Sequence, residues 1–402
     1  MLRRRCLRPS AVFPIKSKSL RRILLAILAV LLATVLARTY VGDVYPVESQ
    51  SMEPTIQASP EQVFVRYERG FTPDRFDLVV FSAPAPEAGV VVKRAAGLPG
   101  ESVLISGGDL LIEGRRLKAS VPRPAPIPIF DSRTESIEPA FAAPNAPFEN
   151  LVDSWQLDAR GRRADLTFVR KARDSRLDTN GKLVSGNREV NDLRIEGRFS
   201  FRRSGKFTLR LSEEGDAFEL ELEIRDGVIE QASILRRAGS AELAVLARAE
   251  RPAGNLAAQS CALAFENVDN HLVAEVGGRI LSADYDSNTP LAGVVDENDR
   301  HLQPRVNLAA AEIEVSIERL IVARDLFYTA SGPLGTGSTV ALGPDEIFVL
   351  GDNSADSSDS RVFGPVRLSD LAGRATWVIW PLKAARRLGG LRQIAPAQIQ
   401  SQ

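Results

Sequence analysis

Hydrophobic positions in this chain follow two different rhythms. Between residues 23 and 37 the side chains are apolar or small with no charge and no polar alternation, whereas beyond residue 193 apolar residues recur at every second position. The first rhythm predicts a single membrane-spanning helix. The uncharged run is short for a bilayer that requires about 20 residues, but Arg22 and Arg38 can snorkel and Thr39 to Val41 extend it, so the expected span is residues 22–41. Eight basic residues and no acidic one lie between Arg3 and Arg22, and Asp43 and Glu48 follow the span. That asymmetry predicts a cytoplasmic N-terminus with everything from about Gly42 outside. A cleaved signal peptide has the same basic and apolar signature; Arg38 and Tyr40 suit an interfacial anchor better than a processing site.

The second rhythm predicts antiparallel strands. Leu193, Ile195, Phe199 and Phe201 alternate with polar residues, as do Phe207, Leu209 and Leu211, and then Phe218, Leu220, Leu222 and Ile224 before an Asp226-Gly227 turn. Further strands are expected near residues 262–265, 272–276, 280–283 and 313–322, and together they predict a β-sandwich over about residues 151–328. Pro122, Pro124, Pro126, Pro128, Pro139, Pro144 and Pro147 mark the preceding stretch as an extended linker. The segments Asn267-Val268-Asp269 and Val276-Gly277-Gly278-Arg279 are similar to legume-lectin or laminin-G-type sandwiches, a jelly-roll-like architecture. Fold does not give function, so a glycan ligand, a protein ligand and a purely structural role for this unit all stay open.

Composition narrows the partners. In 402 residues Lys plus Arg equals Asp plus Glu at 51 each, and no long basic run lies outside the N-terminus, which argues against nucleic acid. Cys6 and Cys261 fall on opposite sides of the apolar segment and are not expected to pair. His271 and His301 are the two histidines and neither has a metal-ligand companion, so no metal, no cofactor and no His-based triad is expected.

Three polar stretches carry candidate chemistry. Directly after the apolar segment comes Glu48-Ser49-Gln50-Ser51-Met52-Glu53-Pro54-Thr55-Ile56, which alone reads as a polar turn. Some forty residues on, the strands Asp77-Leu78-Val79-Val80-Phe81 and Gly89-Val90-Val91-Val92 run into Lys93-Arg94-Ala95-Ala96-Gly97-Leu98-Pro99-Gly100. A lysine ending an apolar strand is usually a snorkelling one; if desolvated, its reference pKa of about 10.4 falls toward neutrality and the amine becomes a usable base. The third stretch, residues 349–364, places Gly351-Asp352-Asn353 and Ser357-Ser358-Asp359-Ser360-Arg361 between an apolar strand and an aromatic-glycine turn. Composition does not decide whether such a loop is merely solvated or functional.

Taken together these stretches resemble the bacterial type I signal peptidase (leader peptidase) family of Ser-Lys proteases. Ser-Met-x-Pro-Thr, Asp-Leu-Val-Val-Phe, Lys-Arg-x-x-Gly-Leu-Pro-Gly and Gly-Asp-Asn with Ser-x-Asp-Ser-Arg occur in the family's order behind an apolar segment. Gly108 to Gly114 is similar to the family's short hairpin, and Leu371-Ala372-Gly373-Arg374-Ala375-Thr376 to its last strand. The resemblance implies a mostly β protein: a signal-peptidase-like antiparallel catalytic domain with one N-terminal transmembrane helix and the inserted sandwich. The expected organisation is a basic N-terminus (1–21), a transmembrane helix (22–41), a catalytic domain (42–117 and 335–383), a Pro-rich linker (118–150), the insertion (151–334) and a C-terminal tail (384–402).

It further implies that Ser51 attacks the scissile carbonyl, Lys93 moves the proton, and an acyl-enzyme forms and is hydrolysed. By the same resemblance the Ser51 N–H and the Ser49 hydroxyl hold the oxyanion, Ser357 orients Lys93, and Asp352 with Arg94 and Asp359 with Arg361 are structural ion pairs. Val47, Met52, Ile56, Val91 and Val92 are expected to line shallow pockets for small residues at the first and third positions before the cut. The implied substrates are secretory preproteins, and the implied location is the plasma (inner) membrane, single-pass, in contact with lipid. Four residues depart from the family's pattern: Glu48, Gln50 where it has glycine, and Ser354 and Ala355 where it has a charged pair. The competing reading is a catalytically silent, membrane-anchored surface binding protein in which the sandwich does the work. A self-cleaving repressor of the related Ser-Lys fold is disfavoured by the apolar segment.

Overall fold

A computed structural model describes residues 17–392 apart from 69, 85–88, 119–120, 146–147, 152–153, 179, 214, 253–259 and 286–304. Cys6, His301, Pro147 and the N-terminal arginines lie outside the described residues.

One helix, Ser17–Tyr40, carries the apolar run, and its 21 residues from Leu20 to Tyr40, with mean hydropathy 2.3, are long and apolar enough to cross a membrane. Its large apolar side chains are exposed rather than packed into a protein core. Beyond it the chain is mostly β. The first sheet runs in the order Gly42–Pro46, Gln62–Tyr67, Leu371–Trp380, Leu78–Ser82, Val90–Gly97, Glu346–Leu350 and Val366–Arg367, every pair antiparallel. Strand Val90–Gly97 therefore sits between the second polar stretch's own hairpin partner and a strand some 250 residues later. A smaller sheet joins Val340–Ala341, Ser102–Ser106, Asp109–Ile112 and Arg115–Arg116.

The alternating region forms a sandwich of two antiparallel sheets. One contains Phe148–Asn150, Trp155–Asp158, Glu314–Arg324, Leu193–Arg202, Cys261–Val268, His271–Val276 and Arg279–Asp284; the other contains Ala244–Glu250, Val228–Arg237, Asp216–Arg225, Gly205–Glu213, Val306–Ala311, Arg163–Phe168 and Phe141–Ala142. Ile195, Phe199, Phe207, Leu209, Phe218 and Leu220 are fully buried in one core between the sheets. Each such side chain contributes on the order of 1.5–3 kcal/mol when withdrawn from water, which is what fixes the period-two register. Asp226 (φ 50°) and Gly227 (φ 80°) turn the strand Asp216–Arg225 into Val228–Arg237, the left-handed pair a two-residue hairpin requires.

Three expected boundaries shift. Residues 118–150 are not a linker: Ile127–Asp131 pairs with Glu314–Arg324, Phe141–Ala142 with Arg163–Phe168, and Phe148–Asn150 with Trp155–Asp158. Pro122, Pro124 and Pro126 precede the strand Ile127–Asp131, Pro128 lies within it, and Pro139 and Pro144 sit in turns, while Ile129, Phe130 and Phe141 enter the sandwich core, so the apolar positions outweigh the proline signal. The returning chain rejoins the first unit near Asp325 rather than at residue 334, because Leu326 and Tyr328 pack with Phe76, Ala96 and Val103. Residues 384–392 are no tail: Arg386–Arg387 pairs with Leu371–Trp380 and Leu388 is buried beside Met52 and Val378.

Candidate functional site

Strand Val90–Gly97 ends its apolar run at Lys93, opposite Val79 in the register of the neighbouring strand, and the side chain is only 3% exposed. Ser51 lies in a single 3-10 turn, Gln50–Met52, and is 5% exposed. The Lys93 Nζ approaches Ser51 Oγ at 2.5 Å, bringing together two groups 42 residues apart in sequence.

The third stretch forms the frame around that contact. Asn353 donates from its backbone N–H to the Ser51 carbonyl (3.0 Å) and from Nδ2 to the Gln50 carbonyl (3.1 Å). Asp352 accepts from Arg94 Nε (2.7 Å) and Nη2 (2.5 Å) and from the Thr55 hydroxyl (2.5 Å). One carboxylate thus ties the residue after Lys93 to the residue four beyond Ser51. Arg94 and Asp352 are almost completely buried, so each needs the other's charge. A β-carbon on Gly351 would lie 2.6 Å from the Ser51 carbonyl oxygen and would overlap Ser357 Oγ, so only glycine permits this approach.

A second buried pair sits behind the first. Asp359 accepts from Arg361 Nε and Nη2 (2.8 and 2.7 Å) and from the backbone N–H of Gly351 (3.0 Å). Arg361 also donates to the Thr329 carbonyl and to both the hydroxyl and the carbonyl of Ser354. Ser354, which stands where the resembled family has an arginine, is thereby a buried acceptor for Arg361 and for the Thr329 N–H. Ala355 and Glu48 are exposed, and so is Gln50, whose side chain is at the surface rather than in a close backbone approach.

The remaining expected site residues divide. Ser49 Oγ accepts from the Ser51 N–H at 3.2 Å, capping the turn, so the two groups expected to hold an oxyanion face each other. Ser357 Oγ is buried beside Gly351 without a hydrogen-bond partner and is not bonded to Lys93. Met52 and Ile56 do not line an open pocket: they are 2% and 0% exposed within a core of Val63, Val65, Leu78 and Val378. Val47 and Val92 stay partly exposed on the rim of that core, whereas Val91 packs with Val79 and Phe81 in a different cluster. Adjacent strand residues face opposite sides of a sheet, so Val91 and Val92 cannot share one pocket.

Asp109, Asp192 and Asp269 each offer one oxygen within 4.8 Å of the others, the grouping nearest to a metal-ligand set among the described residues. Arg116 already lies 2.7 Å from Asp109 and Arg123 2.7 Å from Asp269, so the cluster reads as a charged seam between the sandwich and the first unit. Burial, then the charge of Asp269, pushes the Asp109 carboxyl up to about 7, and burial pushes Asp325 up to about 6.

The model of the signal peptidase, peptidase S26 family matches residues 20–142 and 306–380, the segments that hold every residue of the Ser51 and Lys93 arrangement. Over those segments the chain is similar to that family. The unmatched residues between them fall within the sandwich. Among curated proteins, Signal peptidase I V of Bacillus subtilis (strain 168) is 36% identical over 74 residues, 18% of this chain and 43% of that protein. Signal peptidase I P of Bacillus subtilis subsp. natto is 36% identical over 93 residues (23% and 49%), and Signal peptidase I of Leptolyngbya laminosa 33% over 91 (20% and 44%). The chain spans about half the length of these peptidase relatives or less. Among solved structures, similarity extends to the carbohydrate binding module CBM66 from Bacillus subtilis (TM-score 0.31, 10% identity, 46% of this chain and 95% of that one). It also extends to the CBM2 module of Lactobacillus casei BL23 phage J-1 evolved Dit (0.35, 9%, 52% and 100%). Neither likeness says anything of a ligand for this chain.

Proposed function

We propose that the chain is a membrane-anchored serine endopeptidase that removes N-terminal signal peptides from secretory preproteins, with Ser51 as nucleophile and Lys93 as general base. The observation that carries this reading is the 2.5 Å contact between Lys93 Nζ and Ser51 Oγ in a site where both are buried. A neutral amine at that distance takes the hydroxyl proton as Oγ attacks the scissile carbonyl, then returns it to the leaving amine. Water follows the same path through the acyl-enzyme. The substrate oxygen displaces Ser49 Oγ as acceptor of the Ser51 N–H, and the Ser49 hydroxyl turns to donate the second hydrogen bond. Ser357 Oγ, buried and without a hydrogen-bond partner, is the group that turns to orient Lys93 when substrate closes the site. Arg94, Asp352, Asp359 and Arg361 act as braces, not as chemical groups.

Small side chains before the cut fit a rim formed by Val47 and Val92, with the preprotein extended along a strand edge. The helix Ser17–Tyr40 anchors the chain with its N-terminus cytoplasmic. Trp377, Trp380 and Leu382, all exposed near the end of strand Leu371–Trp380, suit a face resting at the lipid interface. The test is cleavage of a detergent-presented precursor with an Ala-x-Ala site. The native protein is expected to cut after the second Ala, and Ser51→Ala and Lys93→Met to lose at least a thousandfold in kcat while remaining folded. Cleavage that survives both changes, or never occurs, hands the role to the surface-binding alternative.

A further inference from the structure

The sandwich reaches the nucleophile turn through one ion pair. Glu53, two residues after Ser51, is 7% exposed, and its Oε2 accepts from Arg176 Nη2. Its other oxygen accepts from the Ala58 N–H (3.3 Å), and its own N–H closes the turn onto the Gln50 carbonyl (3.0 Å). The Glu53 carboxylate is therefore part of the turn that presents Ser51, and Arg176 is the counter-charge the structure gives it.

Arg176 belongs to a short hairpin, Arg176–Leu177 with Leu183–Val184, that lies within the inserted unit and outside the segments matched by the S26 family. That hairpin is held at its base. Arg324, 4% exposed at the end of strand Glu314–Arg324, donates to the carbonyls of Ser175 (2.8 Å) and Asp174 (3.3 Å). Ser175 Oγ accepts from the Gly186 N–H and Asp174 Oδ1 from the Arg188 N–H, both at 2.9 Å. The hairpin tip closes through Asp178, which accepts from the N–H groups of Asn180 and Lys182. A guanidinium on so constrained a hairpin can impose a position on the carboxylate it meets, and buried carboxylates left without a counter-charge turn toward water.

We infer that Arg176 is a positioning residue: the inserted sandwich clamps Glu53 and so fixes the turn that aims Ser51 Oγ at Lys93 and the scissile carbonyl. The insertion is then a built-in determinant of catalytic rate, not an appended module. This rests on the reading of Ser51 as the nucleophile. Because displacements near 1 Å at a reacting atom cost about a hundredfold in rate, a released Glu53 should show in kcat rather than in KM.

The experiment uses the full-length protein in detergent with a precursor carrying an Ala-x-Ala site, and compares wild type with Ser51→Ala, Arg176→Ala, Arg176→Lys and the Arg176→Ala/Glu53→Gln double variant. Rates are normalised to the folded fraction from circular dichroism. Arg176→Ala is expected to lower kcat at least tenfold with KM within twofold. Arg176→Lys restores most of that loss, and the double variant, which leaves no buried charge uncompensated, falls between Arg176→Ala and wild type, at least threefold below the latter. If Arg176→Ala does not fold, the double variant carries the test by its own threefold criterion. A kcat within twofold of wild type in Arg176→Ala, or in the double variant where the single does not fold, while Ser51→Ala is inactive, overturns the clamp and leaves the nucleophile assignment standing. Activity retained in Ser51→Ala, or absent from wild type, overturns that assignment and the clamp with it.

Discussion

Gly351→Ala adds a single methyl group and tests how tightly the two halves of the site are held. Its β-carbon would sit 2.6 Å from the Ser51 carbonyl oxygen, whereas ordinary contact begins at 3.4 Å. The difference, 3.4 less 2.6, requires a separation of about 0.8 Å, since real side chains do not tolerate such overlap. Gly351 itself cannot easily retreat: its N–H is bonded to the buried Asp359 carboxylate at 3.0 Å, and Leu350 before it pairs with Arg94. Ser51 must then move. A shift of that size takes the 2.5 Å contact between Lys93 and Ser51 to the outer limit of hydrogen bonding. The expected loss in kcat is about 10- to 100-fold. Stability should fall less dramatically, by about 1–3 kcal/mol, the usual cost of overpacking. Steady-state cleavage of an Ala-x-Ala precursor alongside thermal unfolding separates the two effects. A variant that unfolds a few degrees lower yet keeps kcat within twofold would refute the claim that Gly351 sets the position of Ser51.

Two further outcomes follow from the buried charges. Asp352→Ala strands the Arg94 guanidinium and should cost about 3–5 kcal/mol, lowering the thermal midpoint by about 10 °C, while Asp352→Asn, which keeps an acceptor for Arg94 and Thr55, should cost less. Equal midpoints for the two variants would contradict the charge argument. At the seam, Asp109 titrates near 7 in the folded chain and near 3.8 when unfolded, so the folded form binds the extra proton between those values. Stability contributed there is present at low pH and is lost as pH rises toward 7, with Asp325 acting in the same direction up to about 6. Differential scanning fluorimetry from pH 5 to pH 8 should therefore show Asp109→Asn gaining on wild type as pH rises; parallel curves would exclude it.

Local pattern alone was sufficient for several elements. The uncharged run of residues 23–37 reads as helix, and the alternation from Leu193 to Ile224 reads as strands with one buried face. The Asp226-Gly227 turn was legible because its left-handed backbone favours those residue types. The stretches around Ser51, Lys93 and Asp352 were legible as chemistry because a rare combination of residue types occurs in one order. Alternation also contained a signal against Val91 and Val92 sharing a pocket, had strand faces been counted. Strand Val228–Arg237 lacked so clean an alternation, since a register shift against Asp216–Arg225 sets the buried Ile229 and Ala232 three positions apart rather than two.

What required the tertiary structure is everything set by distance across the chain. Periodicity says which side of a strand is apolar but not what lies opposite, so it could not show Met52 and Ile56 sealed in a core with Leu388, or Ile127–Asp131 pairing with a sandwich strand. Asp352 meets Thr55 across 297 positions, and Arg176 meets Glu53 across 123. A half-buried arginine and a buried glutamate carry no local signature of each other, because an ion pair is specified by two coordinates that folding alone brings together. Sequence by itself determined the long helix and the strongly alternating strands and singled out Ser51 and Lys93 as candidates; packing decided which residues touch, since burial energy depends on the whole enclosed surface and not on any one segment.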